Sequence, residues 1–138
     1  MRRAIAMCFF LPLLIGCTGE HSVGTTPPAA FQYHAYDTTG TLLVKGWCTI
    51  VIRDSSHVSG EWHFAKMIDR QNIGPQFGDG QLAGAFYQGA LWINLNPGYV
   101  DNNVFLNGHF SEHAYSGSWS WSGFPGVLNR GSFQALKP

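Results

Sequence analysis

The stretch Tyr115-Ser-Gly-Ser-Trp-Ser-Trp-Ser122 places an aromatic residue or glycine at every odd position and serine at every even position. This alternation has the period of a β-strand, in which successive side chains point to opposite faces of the sheet. We expect the aromatic rings to point into a hydrophobic interior and the serines to point outward. The same period recurs in five other segments, with apolar faces Val58, Gly60, Trp62 and Phe64; Leu82, Gly84 and Phe86; Leu91, Ile93 and Leu95; Val104, Leu106, Gly108 and Phe110; and Gly131, Phe133 and Ala135.

A glycine stands two positions before an aromatic residue on the same predicted face in five strands. The five glycines are Gly60, Gly84, Gly108, Gly117 and Gly131. Glycine weakens a strand interior unless the backbone bends sharply there or another group approaches closely. Both conditions hold in a small closed barrel, because its strands coil tightly around large side chains.

Turn-forming residues divide the chain into about eight strands, most of them joined by short loops. Asp37-Thr-Thr-Gly40 separates a strand at 31–37 from a long one at 41–53, and only Lys66 to Gly80 is long and irregular. These features predict an all-β domain folded as an antiparallel up-and-down barrel, which buries one face of each strand and leaves no exposed edge. A two-sheet β-sandwich is the alternative.

The N-terminus has the features of an export signal. Met1-Arg2-Arg3 is basic, and the apolar run that follows is shorter than the roughly 20 residues of a membrane-spanning helix. Leu14-Ile15-Gly16-Cys17 resembles the bacterial lipobox. The resemblance implies cleavage before Cys17 and lipidation of that residue, which anchors the protein to a membrane. Thr18, rather than Asp, follows the cysteine, so the resemblance favours the outer membrane if the organism is Gram-negative.

Residues 1–16 are therefore predicted to be a signal peptide, residues 17–30 the lipidated cysteine with a flexible tether, and residues 31–138 a single domain. After residue 16 the chain has six basic and eight acidic side chains, a formal charge of about −2. This balance does not fit a nucleic-acid-binding surface, which needs a basic patch. Cys48 is the one cysteine left in the domain, and we expect it to pack as a small buried side chain.

The Gly-x-Trp and Gly-x-aromatic strands, together with the C-terminal Gly131-Ser-Phe-Gln-Ala135, resemble calycin-type barrels, in particular avidins and lipocalins. They are also similar to small bacterial proteinase-inhibitor barrels. The pattern extends over about residues 31 to 136, but it departs from each family. The lipocalin Gly-x-Trp lies in the first barrel strand, whereas here it lies in later strands. Avidin sites have polar side chains inside the barrel, whereas the inward side chains predicted here are nearly all apolar. The inhibitor barrels have a disulfide, which a single cysteine in the domain cannot form. The resemblance therefore implies a barrel fold and no specific family.

The sequence has no recognisable catalytic constellation. The serines lack a Gly-x-Ser-x-Gly elbow, and there is no paired-carboxylate pattern and no phosphate-binding loop. His57, Glu61 and His63 share one face of a strand, but their spacing does not complete a metal site, and Asp101-Asn-Asn103 does not match a calcium loop. We therefore predict a protein that is not an enzyme and that has no metal and no cofactor.

Trp47 and Trp92 are predicted to point outward, because alternation places Val44, Cys48, Leu91 and Ile93 inside. Large exposed apolar side chains often mark an interface with a partner. Either the first strand or the 67–80 loop covers these two tryptophans, or they form a partner surface.

Two non-catalytic functions follow, and both are compatible with a membrane-anchored protein of the cell envelope. One is an interaction module that binds an envelope protein or, by resemblance, a proteinase. The other is a carrier of a small apolar ligand inside the barrel, since an eight-stranded barrel is just wide enough either to be filled by side chains or to hold one such ligand. The aromatic residues that would surround the ligand are Trp62, Phe64, Phe86, Phe110, Tyr115, Trp119, Trp121 and Phe133.

Overall fold

The computed structural model describes residues 30–69 and 72–138. The predicted signal peptide, Cys17 and the tether up to residue 29 lie outside the described residues. The described part of the chain forms nine antiparallel β-strands: β1 Phe31–Tyr36, β2 Leu42–Cys48, β3 Val51–Asp54, β4 His57–Lys66, β5 Gly78–Tyr87, β6 Ala90–Asn94, β7 Asn102–Phe110, β8 Ala114–Gly123 and β9 Gly126–Leu136.

These strands form one sheet that closes on itself, which confirms the predicted barrel and excludes the sandwich. Neighbours along the chain pair with each other except for β2 and β3, β9 pairs with β1, and β2 pairs with β4 to complete the circle. The result is an eight-stranded antiparallel up-and-down barrel with β3 as an extra strand beside β4. This architecture is consistent with the calycin-like fold that the glycine-aromatic pattern implies.

The predicted long strand at 41–53 is divided into β2 and β3. Both segments pair with β4, and Thr49 lies between them. The amide of Thr49 donates to the carbonyl of Glu61 at 2.8 Å, and its Oγ1 accepts from the amide of Glu61 at 3.0 Å. The interruption is therefore a hydrogen-bonded bend opposite Gly60, rather than a turn to another part of the barrel.

The placement of Leu43 differs from simple alternation, which directs it outward. Leu43 is buried, and so is the adjacent Val44. The register between β1 and β2 shifts at this point: Ala35 pairs with Val44, whereas Tyr36 pairs with Leu42. Leu43 is thus an extra residue in a β-bulge, and a bulge changes which face the following side chains occupy.

The five repeated glycines have a common steric cause. A Cβ atom on any of them would lie only 1.9–2.1 Å from a backbone carbonyl oxygen of a neighbouring strand or connecting segment. Gly108 and Gly117 even pair with each other across β7 and β8. The prediction that close approach requires glycine at these positions is confirmed.

The order of the strands defines two ends of the barrel. The chain enters at Phe31, and this entry end also has the β3–β4, β5–β6 and β7–β8 turns and the C-terminus. The opposite, far end has the β1–β2 turn, the long β4–β5 loop, the β6–β7 loop and the β8–β9 turn.

Candidate functional site

The interior of the barrel is occupied by interlocked aromatic rings. Tyr33 stacks on Phe64 with 4.2 Å between ring centroids, and it also lies 5.9 Å from Phe133. Phe133 in turn meets Tyr115 edge to face at 4.7 Å. Close ring contacts of this kind leave little space for a guest molecule between the rings.

The eight aromatic residues predicted to surround an apolar ligand all belong to this interior or pack against it. Phe86 and Phe110 are half-buried and meet near the entry end, where Phe110 lies 5.8 Å from Phe31. Trp121 is half-buried toward the far end. The remaining five are buried: Trp62, Phe64, Tyr115, Trp119 and Phe133.

Three polar side chains inside the barrel hydrogen-bond to backbone carbonyls. The Tyr115 hydroxyl lies 3.0 Å from the carbonyl oxygens of both Leu91 and Leu106. Trp62 Nε1 donates to the Leu95 carbonyl at 2.8 Å, and Trp119 Nε1 donates to the Tyr36 carbonyl at 2.9 Å. No buried side-chain nitrogen or oxygen among the described residues lacks a hydrogen-bond partner. The interior therefore presents no unsatisfied polar group to a ligand.

Burial also keeps the ionisable interior groups uncharged. It raises the pKa of the Cys48 thiol to about 12 and raises the pKa values of the Tyr33 and Tyr115 hydroxyls well above their ordinary range. Cys48 is 2% exposed, as expected for a small buried side chain. A buried thiol that remains protonated at neutral pH is a poor nucleophile.

The β4–β5 loop closes the far end of the barrel. Ile73 and Gln76 are buried, and Gln76 Oε1 accepts a hydrogen bond from the Tyr33 hydroxyl at 3.0 Å. The backbone of Gly74 lies against the ring of Trp121, and Asn129 Nδ2 donates to the Asn72 carbonyl at 2.5 Å. These contacts hold the loop over the barrel mouth, rather than over Trp47 or Trp92.

Trp92 lies on the outer wall and is 41% exposed. Its ring stacks on that of Phe105 with 5.4 Å between centroids. Its cross-strand partners are Ala85 and Asn107, which carry no charge.

Trp47 lies on a different part of the outer wall and is half-buried between polar side chains. Its ring stacks on that of His63 with 6.0 Å between centroids and an interplanar angle of 18°. His63 Nδ1 forms a hydrogen bond with the Asp79 carboxylate, which fixes the imidazole against the indole. Trp47, His63 and Asp79 thus form a row across β2, β4 and β5.

A shallow cleft lies on each side of Trp47. One has a volume of about 310 Å³, and its polar lining is basic or neutral: Gln32, His34, Lys45 and His63. The other has a volume of about 290 Å³, and its polar lining is acidic or neutral: Glu61, Asp79 and Gln81. We refer to Trp47 with these two clefts as the Trp47 ridge.

The far end exposes a second surface, which the sequence analysis did not identify. Seven of the eleven large hydrophobic residues that are exposed among the described residues lie at this end, and Val100 and Phe124 are 99% and 94% exposed. We call the set the far rim: Met67, Phe77, Tyr99, Val100, Phe124, Val127 and Leu128. The signal that could have revealed it is the presence of Tyr, Val and Phe inside Pro-Gly turns, where small polar residues are usual.

Backbone pairing brings the loops of the far rim together. Asn102 pairs with Gly123, so the residues before one and after the other are neighbours. A Cβ on Gly123 would lie 3.0 Å from Leu128 and 3.2 Å from the Asp101 carbonyl. On the other side, Phe77 and Tyr99 line one cleft of about 260 Å³. The residues of the far rim therefore lie on neighbouring loops and are not scattered over the surface.

The other predicted features of the surface have simple local partners. His57 Nδ1 lies 2.8 Å from the Asp54 carboxylate in the β3–β4 turn. Within residues 30–69 and 72–138, no three His, Cys, Asp or Glu side chains are grouped so as to hold a metal ion. The same residues contain no helix that is long and apolar enough to cross a membrane.

Comparisons of the chain with protein families, with curated proteins and with solved structures found no match.

Proposed function

We propose that this protein is a lipid-anchored, non-catalytic interaction module of the cell envelope, in which the far rim binds a protein partner. The observation that carries the proposal is the concentration of exposed hydrophobic residues at the end opposite to chain entry. An anchor at Cys17 would leave this end directed away from the membrane. A tether of about 13 residues spans roughly 20 Å as a flexible coil, which gives the barrel freedom to reach a partner.

The chemistry of the far rim favours a protein as the partner. Aromatic and aliphatic side chains at the centre of an interface supply most of its binding energy, and Tyr and Phe are enriched there. Phe124 stands at the tip of the β8–β9 turn, where it can enter a pocket on another protein without any movement of the barrel. Lys66, whose Nζ lies 4.1 Å from the centre of the Phe77 ring, adds a cation at the edge of this surface.

The packed interior gives less support to the carrier alternative, because a ligand there would have to displace rings that already contact each other. The proteinase-inhibitor alternative is a special case of the far-rim proposal. In that case the partner would be a proteinase and Phe124 would enter its substrate cleft.

Site-specific photo-crosslinking in cells that express the full chain tests the far rim. A photoreactive phenylalanine analogue at position 124 should give a discrete heavier adduct, and the same analogue at position 88, in the β5–β6 turn of the entry end, should not. Val100→Ser in the chain labelled at 124 should reduce the yield of the adduct at equal expression. Identification of the adduct as a proteinase would select the inhibitor alternative. Equal adducts from both positions, or no adduct at 124, would contradict the proposal.

The anchor is tested separately by Cys17→Ser. The wild-type chain should incorporate radioactive palmitate and sediment with membranes, because each CH₂ group of a lipid chain buried in the bilayer contributes about 0.8 kcal/mol to membrane binding. The Cys17→Ser chain should do neither. A variant that remained labelled and membrane-bound would show that Cys17 is not the lipid site.

A further inference from the structure

We propose that the Trp47 ridge is a binding site for an acidic oligosaccharide, in which a carboxylate-bearing sugar lies on the basic side of Trp47 and a neutral sugar lies on the acidic side. This site lies on the outer wall formed by β1, β2, β4 and β5, and its acidic cleft adjoins the far-rim cleft of Phe77 and Tyr99, since Asp79 and Gln81 line both. Neither cleft beside Trp47 is lined by a far-rim residue, so the inference does not depend on the far-rim proposal.

The Trp47 ridge combines an indole with flanking hydrogen-bonding side chains. The ring of a sugar presents an apolar face of C–H groups and an edge of hydroxyls, so it matches an aromatic ring bordered by amides, imidazoles and carboxylates. The surface beside Trp47 supplies this arrangement, with an amide at Gln32 on one side and at Gln81 on the other. A protein interface core, by contrast, is depleted of charged residues.

The Trp47 ring and the side chains beside it are held in place. His63 stacks on Trp47, and Asp79 fixes the imidazole by hydrogen bonding to Nδ1. Gly80, between Asp79 and Gln81, admits no Cβ, because such an atom would lie 2.4 Å from the ring of Trp62. The backbone next to the carboxylate is therefore packed directly on a core side chain. A ligand would bind to a surface that needs little ordering, which favours affinity.

The distribution of charge around Trp47 specifies the class of sugar. Lys45 and His34 lie in the cleft on one side of Trp47, where donors and positive charge suit a sugar carboxylate. Glu61 and Asp79 lie in the cleft on the other side, where acceptors suit hydroxyl and N-acetyl N–H groups. A ligand with an acidic sugar next to an N-acetylated neutral sugar complements both clefts.

Titration calorimetry of the Cys17→Ser chain with two oligosaccharides of equal length tests the proposal. One alternates N-acetylglucosamine with glucuronate, and the other contains N-acetylglucosamine alone. We expect saturable binding of the alternating oligosaccharide that weakens with added salt. Trp47→Ala should weaken it at least about tenfold, Trp47→Phe should keep most of the affinity because a ring remains, and Lys45→Ala should weaken the acidic ligand more than the neutral one.

The matched control is Trp92→Ala, which removes the other outward-facing tryptophan and should leave the affinity within about twofold of wild type. The double variant Val100→Ser, Phe124→Ser should also bind the acidic oligosaccharide with wild-type affinity. A failure of the far-rim proposal can therefore be distinguished from a failure of the Trp47 proposal. Three results would each overturn the proposal. They are no saturable binding up to about 10 mM ligand, equal losses for Trp47→Ala and Trp92→Ala, and equal affinity for both oligosaccharides with no effect of Lys45→Ala.

Discussion

The hydroxyl of Tyr33, on the first strand, donates a 3.0 Å hydrogen bond to Oε1 of Gln76 in the β4–β5 loop, and both side chains are fully buried. Gln76 Nε2 in turn donates to the Ile73 carbonyl at 3.0 Å. One side chain therefore links the aromatic interior of the barrel to the loop that closes its far end. The long irregular segment of the sequence is a structural plug, held by specific polar contacts.

Removal of the Gln76 side chain should loosen the plug. Gln76→Ala leaves the Tyr33 hydroxyl and the Ile73 carbonyl without this partner, and an unsatisfied buried polar group costs about 1–3 kcal/mol. We expect the free energy of unfolding, measured with urea, to fall by about that amount. Gln134→Ala, which removes an exposed glutamine from β9, is the control and should change it by less than about 0.5 kcal/mol. Equal stability of both variants would show that the hydrogen bond to Tyr33 contributes nothing.

The barrel itself could be predicted from the sequence because its signals are local. Alternation identifies the inward faces, and glycine two positions before an aromatic residue marks close strand contacts, which the carbonyl oxygens near Gly60 and Gly131 explain. The bulge at Leu43 could not be predicted, since it depends on a register shift against another strand. The function of the loop was equally hidden, because the partner of Gln76 lies 43 residues away in the chain.

The candidate surfaces were predictable only in part. Alternation correctly directs Trp47 and Trp92 outward, but it carries no information about which side chains of neighbouring strands lie beside them. His63 and Asp79 come next to Trp47 through pairings of β2 with β4 and of β4 with β5. The far rim likewise forms only when the closed barrel brings three separate connections to one end.

Gly74 tests the contact between the plug and the barrel. Its φ angle is +61°, and a Cβ there would lie 2.5 Å from the ring of Trp121. Gly74→Ala therefore combines backbone strain with a steric clash, and we expect it to lower the free energy of unfolding by about 1–3 kcal/mol. The emission of Trp121 should shift as its ring moves, which can be read by difference from a Trp121→Phe background. Gly98→Ala is the matched control, because a Cβ at Gly98 has no atom within 4 Å. If both alanine variants behaved alike, the Gly74 contact would not hold the plug.

Substitution of Tyr115 tests the hydrogen bonds between side chains and backbone carbonyls inside the barrel. Its hydroxyl shares one donor hydrogen between the carbonyl oxygens of Leu91 and Leu106, on two neighbouring strands. Tyr115→Phe keeps the ring and removes only that shared donor, and we expect the free energy of unfolding to fall by about 1–3 kcal/mol. The exposed Tyr87 provides the control, and Tyr87→Phe should leave the unfolding midpoint in urea unchanged. A Tyr115→Phe protein as stable as wild type would mean that the carbonyl groups are satisfied without the hydroxyl.

Asp37 makes a pH-dependent contribution to stability from the β1–β2 turn. Its carboxylate accepts hydrogen bonds from Thr39 Oγ1 at 2.7 Å and from the amides of Thr41 and Thr39, both at 2.9 Å. These bonds, that of the Thr39 side chain first, lower the pKa of Asp37 from 3.8 to about 2. Because the pKa is lower in the folded state, the contribution is fully present above about pH 4 and is lost as the pH falls toward 2.

Asp37→Asn should therefore destabilise the protein at pH 7, and its difference from wild type should shrink as the pH falls toward 2, where about half of the folded wild-type carboxylate is protonated. Urea unfolding of both proteins at several pH values between 2 and 7 measures this convergence, and an NMR titration of the Asp37 carboxyl gives its pKa directly. Asp101→Asn, at an exposed carboxylate in the β6–β7 loop, controls for the change in net charge. A stability difference between Asp37→Asn and wild type that stayed constant over this range would show that the turn does not depend on the ionised carboxylate.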